Sequence, residues 1–246
     1  MTYLELQIQL DLNSENRVNV LRNVDTCNKI SIGYLFVDQE NGQCYLFDKD
    51  GNLNDINKVK RIDYGAFDGC TSLVKINIPN NVKCIGDFAF SNCTSLTSIS
   101  IPNSVESIGS GAFRNCTSLT SIKIPDSVKS IGDNAFYRCT SLTSISIPDS
   151  VESIGYEAFE NCTSLTSIEI PNSVESIGDD AFYRCTSLTS ISIPDSVESI
   201  GNGAFDGCTS LKSLVFNGKT IDEVKAMPNY SWGIKDKSVI KYKAFK

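Results

Sequence analysis

The sequence predicts a solenoid: near-identical coils in a stack, mainly β with short 3-10 or helical turns, capped at both ends. Three observations predict it. Seven cysteines, Cys70, Cys93, Cys116, Cys139, Cys162, Cys185 and Cys208, follow one another at intervals of 23 residues. A phenylalanine stands three residues before each, from Phe67 to Phe205, and prolines recur in step from Pro79 to Pro194. The stretch CTSLTSISIPDSVESIG occurs twice unchanged, as Cys139 to Gly155 and as Cys185 to Gly201, 46 residues apart. A fixed period between roughly 20 and 50 residues marks a stacked array, since one such unit buries its apolar face only against its neighbours.

Each part of the unit has a reason. Leu142, Ile145 and Ile147 are apolar while Ser144 and Ser146 between them are polar, the alternation of a short strand. Pro148 ends it, because proline has no N–H to give to a ladder. Val151 and Ile154 point inward from a second extended piece, and Gly155 turns the chain. Ala158 and Phe159 come from a tight helical turn or 3-10 segment, and Cys162 closes the coil. Stacking sets each strand beside its copy in a parallel sheet, about 4.8 Å away. Seven such strands are expected, from 73–78 to 211–216. About eight inward apolar residues do not offset the ordering of a whole unit, so a coil needs neighbours above and below.

The unit C-x-x-L-x-x-I-x-I-P-x-x-V-x-x-I-G-x-x-A-F-x-x-C, in phase over residues 59–216, resembles the BspA-type leucine-rich repeat of bacterial surface proteins and some protist proteins. The resemblance implies a leucine-rich-repeat solenoid, a right-handed horseshoe or gently curved stack with its parallel sheet on the concave face. It further implies adhesion and protein–protein contact, and a cell-surface or secreted setting.

Residues 58–216 are read as the solenoid, 1–57 as an N-terminal β-rich cap or small accessory domain, and 217–246 as a C-terminal cap. Leu4, Leu6, Ile8 and Leu10 alternate with polar residues as in a half-buried strand. Ser14 fits the cap of a short helix through Val24, while the alternation of Val18 and Val20 fits a strand; both readings stand. ISIGYLFVDQENGQCYLFDKDGNL predicts a hairpin turning at Asn41-Gly42, with a second turn at Asp50-Gly51. KVKRIDYGAFDGC, residues 58–70, is the back half of a repeat without its strand. At the other end Thr220 to Glu223 fits a capping box, with Ile221, Val224 and Met227 on one helical face until Pro228. Trp232 is expected to cover the last coil, and Val239 to Tyr242 to form a closing strand.

Composition narrows the function. The chain has 246 residues, a net charge of −7 and no histidine. Acidity argues against nucleic acid as a partner. The missing histidine removes Ser-His and Cys-His pairs and the commonest metal ligand, so neither catalysis, a metal nor a cofactor is expected. The cysteine column has no C-x-x-C spacing and is read as packing. No apolar run reaches the ~20 residues of a membrane span. MTYLELQIQL lacks the basic start and apolar centre of a signal peptide, so the chain as written reads as cytoplasmic.

Two surfaces remain for a partner. On the concave strands the candidates are Lys75, Asn77, Ser98, Ser100, Ser121, Lys123, Ser144, Ser146, Ser167, Glu169, Ser190 and Ser192. On the turn flanking each phenylalanine they are Arg114, Tyr137, Arg138, Tyr156, Tyr183 and Arg184, exposed residues of the types that anchor interfaces. An outer column of Glu106, Lys129, Glu152, Glu175 and Glu198 stacks mostly like charges. The expectation is a non-enzymatic binding or scaffold protein offering the same contact several times. Its partner is expected to be a protein, by resemblance a host surface or matrix protein. A glycan on the Ser/Thr face and a structural role in a larger surface or virion-like assembly are the alternatives.

Overall fold

Each coil lays down two short strands, so the stack carries two parallel ladders where the sequence suggests one sheet. The computed structural model describes residues 53–243 continuously, together with 43–47 and the strand segments 17–18, 23–25 and 31–38. The first ladder contains Lys75–Asn77, Ser98–Ser100, Ser121–Lys123, Ser144–Ser146, Ser167–Glu169, Ser190–Ile193 and Ser213–Asn217. The second runs unbroken through Arg61–Ile62, Cys84–Ile85, Ser107–Ile108, Ser130–Ile131, Ser153–Ile154, Ser176–Ile177 and Ser199–Ile200. Pairing is copy against copy: Ser121 lies beside Ser144 in the first ladder and Ile131 beside Ile154 in the second. The second extended piece becomes a ladder for the same reason as the first, since Ile154 is buried while Ser153 beside it reaches the surface.

Between the ladders Leu142, Ile145, Val151, Ile154, Ala158, Phe159 and Cys162 are all buried, and their copies repeat the arrangement except at half-buried Cys70, Ile99, Cys208 and Leu211. The phenylalanines stack nearly face to face from Phe67 to Phe205, with centroids 4.8 to 5.6 Å apart. That spacing is close to the separation of neighbouring strands, so one side chain repeated once per coil fills a continuous column. The thiols do likewise. Cys93, Cys116, Cys139, Cys162, Cys185 and Cys208 each donate to the carbonyl of the phenylalanine 26 residues earlier, at 3.1–3.2 Å. All are free, and burial pushes the Cys139 thiol up to about 12 and those of Cys116, Cys162 and Cys185 well above the usual range. A protonated buried thiol is inert, which makes the column a packing element.

One sequence expectation changes here. The turn carrying Ala158 and Phe159 is not a 3-10 helix. It is a run of i→i+3 bonds, as in Glu160 N–H to Glu157 O and Cys162 N–H to Phe159 O, interrupted by left-handed residues at Glu157 (φ 51) and Asn161 (φ 58). Gly155 stands where the chain enters this turn, as expected, and its φ is not positive. Its column is glycine because the coils approach too closely for a side chain: a Cβ at Gly178 would lie 2.6 Å from the carbonyl carbon of Gly155.

At the N-terminal end Ser31–Asp38 pairs antiparallel with Arg17–Val18, Asn23–Asp25 and Cys44–Phe47, and Cys44–Phe47 pairs with Leu53–Asn54. The stretch left open between helix and strand is therefore extended wherever it is described. The hairpin forms, while the Asn41-Gly42 turn itself and the alternation from Leu4 to Leu10 lie outside the described residues. Buried Cys44 donates its thiol to the Asn77 carbonyl at 3.2 Å, which seats this sheet against the first solenoid strand. The half-repeat enters the second ladder as expected, Arg61 beside Cys84.

At the C-terminal end the helix Ile221–Ala226 has the expected capping box between Thr220 and Glu223. Val224 and Met227 are buried, but Ile221 is 44% exposed, contrary to the predicted face. As the first residue of a six-residue helix it lies a turn away from the two side chains that reach the core. Trp232 is buried, 5.3 Å from the Phe216 ring, and its Nε1 donates to the Pro228 carbonyl at 2.9 Å. Ile240–Lys243 adds an eighth strand to the first ladder, parallel to Ser213–Asn217.

Candidate partner-binding surfaces

The first-ladder candidates form two columns. Lys75 pairs with Ser98, Ser121 with Ser144 and Ser167 with Ser190; two residues along each strand, Asn77 pairs with Ser100, Lys123 with Ser146 and Glu169 with Ser192. All are exposed except half-buried Lys75. Ser192 accepts from Asn217 Nδ2 at 2.7 Å. Other hydroxyls are spent inside the stack, which sequence reasoning missed. Thr117, Thr140, Thr163 and Thr186 donate to the carbonyl of the threonine one coil back. Ser104, Ser127, Ser150, Ser173 and Ser196 donate to valine carbonyls 22 residues back. Their signal in the sequence is position: these hydroxyls adjoin the buried cysteine or valine instead of alternating with isoleucine.

The flank is built by the turn from phenylalanine to cysteine. Its second residue is left-handed in every coil: Gly69, Asn92, Asn115, Arg138, Asn161, Arg184 and Gly207 have φ between 56 and 74. Glycine and asparagine suit that region; an arginine there costs about 1–2 kcal/mol. The conformation places the Arg138 guanidinium 5.3 Å from the Tyr137 ring, and Arg114 from the coil below lies 4.8 Å from the same ring. Arg184 lies 5.1 Å from the Tyr183 ring. Both tyrosines are half-buried, not freely exposed as expected, because these guanidiniums cover their faces. Tyr156 stands with acids and not under a guanidinium. It is 44% exposed at the start of its coil's turn, and its hydroxyl bonds to Glu157, which with Asp180 and Glu160 pushes its ionisation up to about 12.

Beside these arginines is an acidic group that the sequence reading did not single out. Burial, then Glu157 and Asp180, push Glu160 up to about 7, with Arg138 opposing. Asp180 is raised by burial and then by Glu157, Asp179 and Asp206. Asn161 Nδ2 donates to Glu160 Oε1 at 2.8 Å. The signal was a near-coincidence of acids one period apart, visible once Glu157 is aligned with Asp180. No group of thiols and carboxylates among the described residues has the geometry to hold a metal.

Two further features complete the surface. Lys83 pairs with Glu106 at 2.8 Å and Lys129 with Glu152 at 3.9 Å, so the outer column is partly charge-matched, contrary to expectation. These exposed pairs are worth about 0.2–1 kcal/mol each. At the C-terminal end an open cavity of about 280 Å³ lies between the last coil and the segment after Trp232, lined by Phe205, Cys208, Leu211, Ile234 and Val239.

The family model described as the BspA type leucine-rich repeat region matches residues 43–165 and 129–227, with six copies. The chain belongs to the BspA-type leucine-rich repeat family. Repeats of this family generally serve protein interaction or act as surface scaffolds, and the fold is typically non-catalytic. A leucine-rich repeat protein of T. pallidum is 38% identical, with 63% of this chain and 72% of that one covered and a TM-score of 0.60. One from Bacteroides ovatus is 26% identical, covering 88% and 76%, with a TM-score of 0.45. A leucine rich cell surface protein from Faecalibacterium prausnitzii is 22% identical, covering 86% and 95%, with a TM-score of 0.42. Comparison with curated proteins finds no match. Among the described residues no helix is long and apolar enough to cross a membrane.

Proposed function

We propose that this leucine-rich repeat chain is a non-enzymatic binding scaffold that engages a protein partner through its flank, with its terminal segments acting as covers for the open coils. The observation that carries this reading is the Tyr137 ring held between Arg114 and Arg138, with Tyr183 and Arg184 repeating half of it two coils on. Tyrosine and arginine dominate interface energies, and side chains already ordered in the free protein lose little entropy on binding. Two coils span about 10 Å, so one partner meets both anchors, and two weak contacts act as one strong one. The exposed serines of the first ladder form a neutral surface beside this site.

The test is affinity capture from a native extract or from a panel of surface and matrix proteins. Capture lost in Tyr137→Ala/Tyr183→Ala but kept in Ser144→Arg/Ser190→Arg supports the flank. The opposite pattern, or a glycan array signal removed by the serine variants, overturns it in favour of the Ser/Thr face.

A further inference from the structure

We infer that the solenoid is assembled from two-coil blocks of 46 residues, which yield to one another at two seams in the first ladder. The neighbouring strands Ser98–Ser100 and Ser121–Lys123 are not joined by ladder bonds, nor are Ser144–Ser146 and Ser167–Glu169. Every other junction of that ladder is bonded.

Four kinds of contact share this phase. Thr97, Thr143 and Thr189 each donate their N–H one coil back, to Val74, Thr120 and Thr166, at 2.8, 2.9 and 3.2 Å. Their hydroxyls donate to the same carbonyls at 3.1, 3.1 and 3.3 Å. Thr120 and Thr166, which face the seams, have neither bond to the coil before. Asp87, Asp133 and Asp179 each accept from a backbone N–H of the next coil, at Ser110, Tyr156 and Asn202, at 2.7–2.8 Å. All three clamps lie inside blocks, as do the Lys83–Glu106 and Lys129–Glu152 pairs. Burial agrees: Ile101 and Ile147, just before the seams, are half-exposed, whereas Ile78, Ile124, Ile170 and Ile193 are at most 5% exposed.

What crosses a seam is the unbroken second ladder, the phenylalanine stack with the backbone bonds of its turn, such as Phe113 N–H to Ala135 O and Phe159 N–H to Ala181 O, and the thiol and hydroxyl bonds near it. One side of each seam is therefore tied and the other is not, the geometry of a hinge. The junction after the third block, to Ser213–Asn217, is bonded, so there are two hinges. Tyr137–Arg138 and Tyr183–Arg184 lie in successive blocks, so the second seam sets the spacing of the two anchors. Only that last consequence rests on the proposed function.

Amide hydrogen exchange on the full chain tests the seams without any partner. Thr97, Thr120, Thr143, Thr166 and Thr189 all follow a leucine, precede a serine and are exposed, so their intrinsic rates match. Exchange at Thr120 and Thr166 is expected to be about tenfold faster or more than at the other three. Equal protection at all five, or slower exchange at the seam positions, overturns the two-coil block whatever the capture experiment finds.

Discussion

At Gly178 an added Cβ would lie 2.6 Å from the Gly155 carbonyl carbon and 2.7 Å from the Tyr156 nitrogen, both backbone atoms that cannot swing aside. At Gly69 φ is +70 and nothing lies within 4 Å of the same added carbon. Gly69→Ala therefore pays only for a left-handed alanine, about 1–2 kcal/mol. Gly178→Ala forces two coils apart and belongs with overpacking, expected at ~3 kcal/mol or more. Denaturant melts of the two variants check the order, and a larger loss at Gly69 would contradict the close-approach explanation. The same distinction applies to Phe88, which holds φ 54 where the neighbouring coils have Gly65 and Gly111, and keeps edge contact with 75% exposed Tyr64 at 5.7 Å.

The turn is the element in which the coils differ, and there charge decides behaviour. Glu160 titrates near 7 in the folded chain against an ordinary value near 4.5, chiefly through burial and then through Glu157. The folded state therefore binds this proton more tightly than the unfolded state. That contribution is fully present below about pH 4.5 and disappears as pH rises through 7. Denaturation midpoints are expected to rise as pH falls from 8 to 5, with a smaller rise in Glu157→Gln. Asp180 acts in the same direction. Glu223 and Asp236, lowered by capping bonds, act in the opposite direction and only below that window. A midpoint that falls between pH 8 and 5 would show that this turn does not bury its acids together.

For the molecule as a whole, stability in a stack comes from units and their interfaces, so a longer array is ordinarily the more stable one. The two-coil phase reverses that expectation for one pair of deletions. Removing residues 120–165 takes out one block and restores every internal contact of the remaining two. Removing 143–165 takes out one coil and sets the Asp133 coil against that of Asp179, while Lys129 meets Glu175 in place of Glu152. The shorter chain is expected to melt at or above the temperature of the longer one. A clearly lower Tm for the block deletion would mean that single coils are the units after all.

Much of this was legible at the outset. The period of 23, the inward columns of leucine, isoleucine, valine, phenylalanine and cysteine, the half-repeat at Arg61 and the Thr220 capping box all follow from local patterning, because equivalent positions in a stack meet equivalent surroundings. The second ladder, the coil-to-coil hydroxyl bonds, the arginines folded over Tyr137 and the seams were decided by tertiary structure alone. Apart from Arg138, which its left-handed backbone folds over the adjacent ring, each depends on how close two backbones come across 23 residues of intervening chain. Hydrophobic alternation records which side of a strand is dry; it carries no measure of whether the next coil lies within hydrogen-bonding distance.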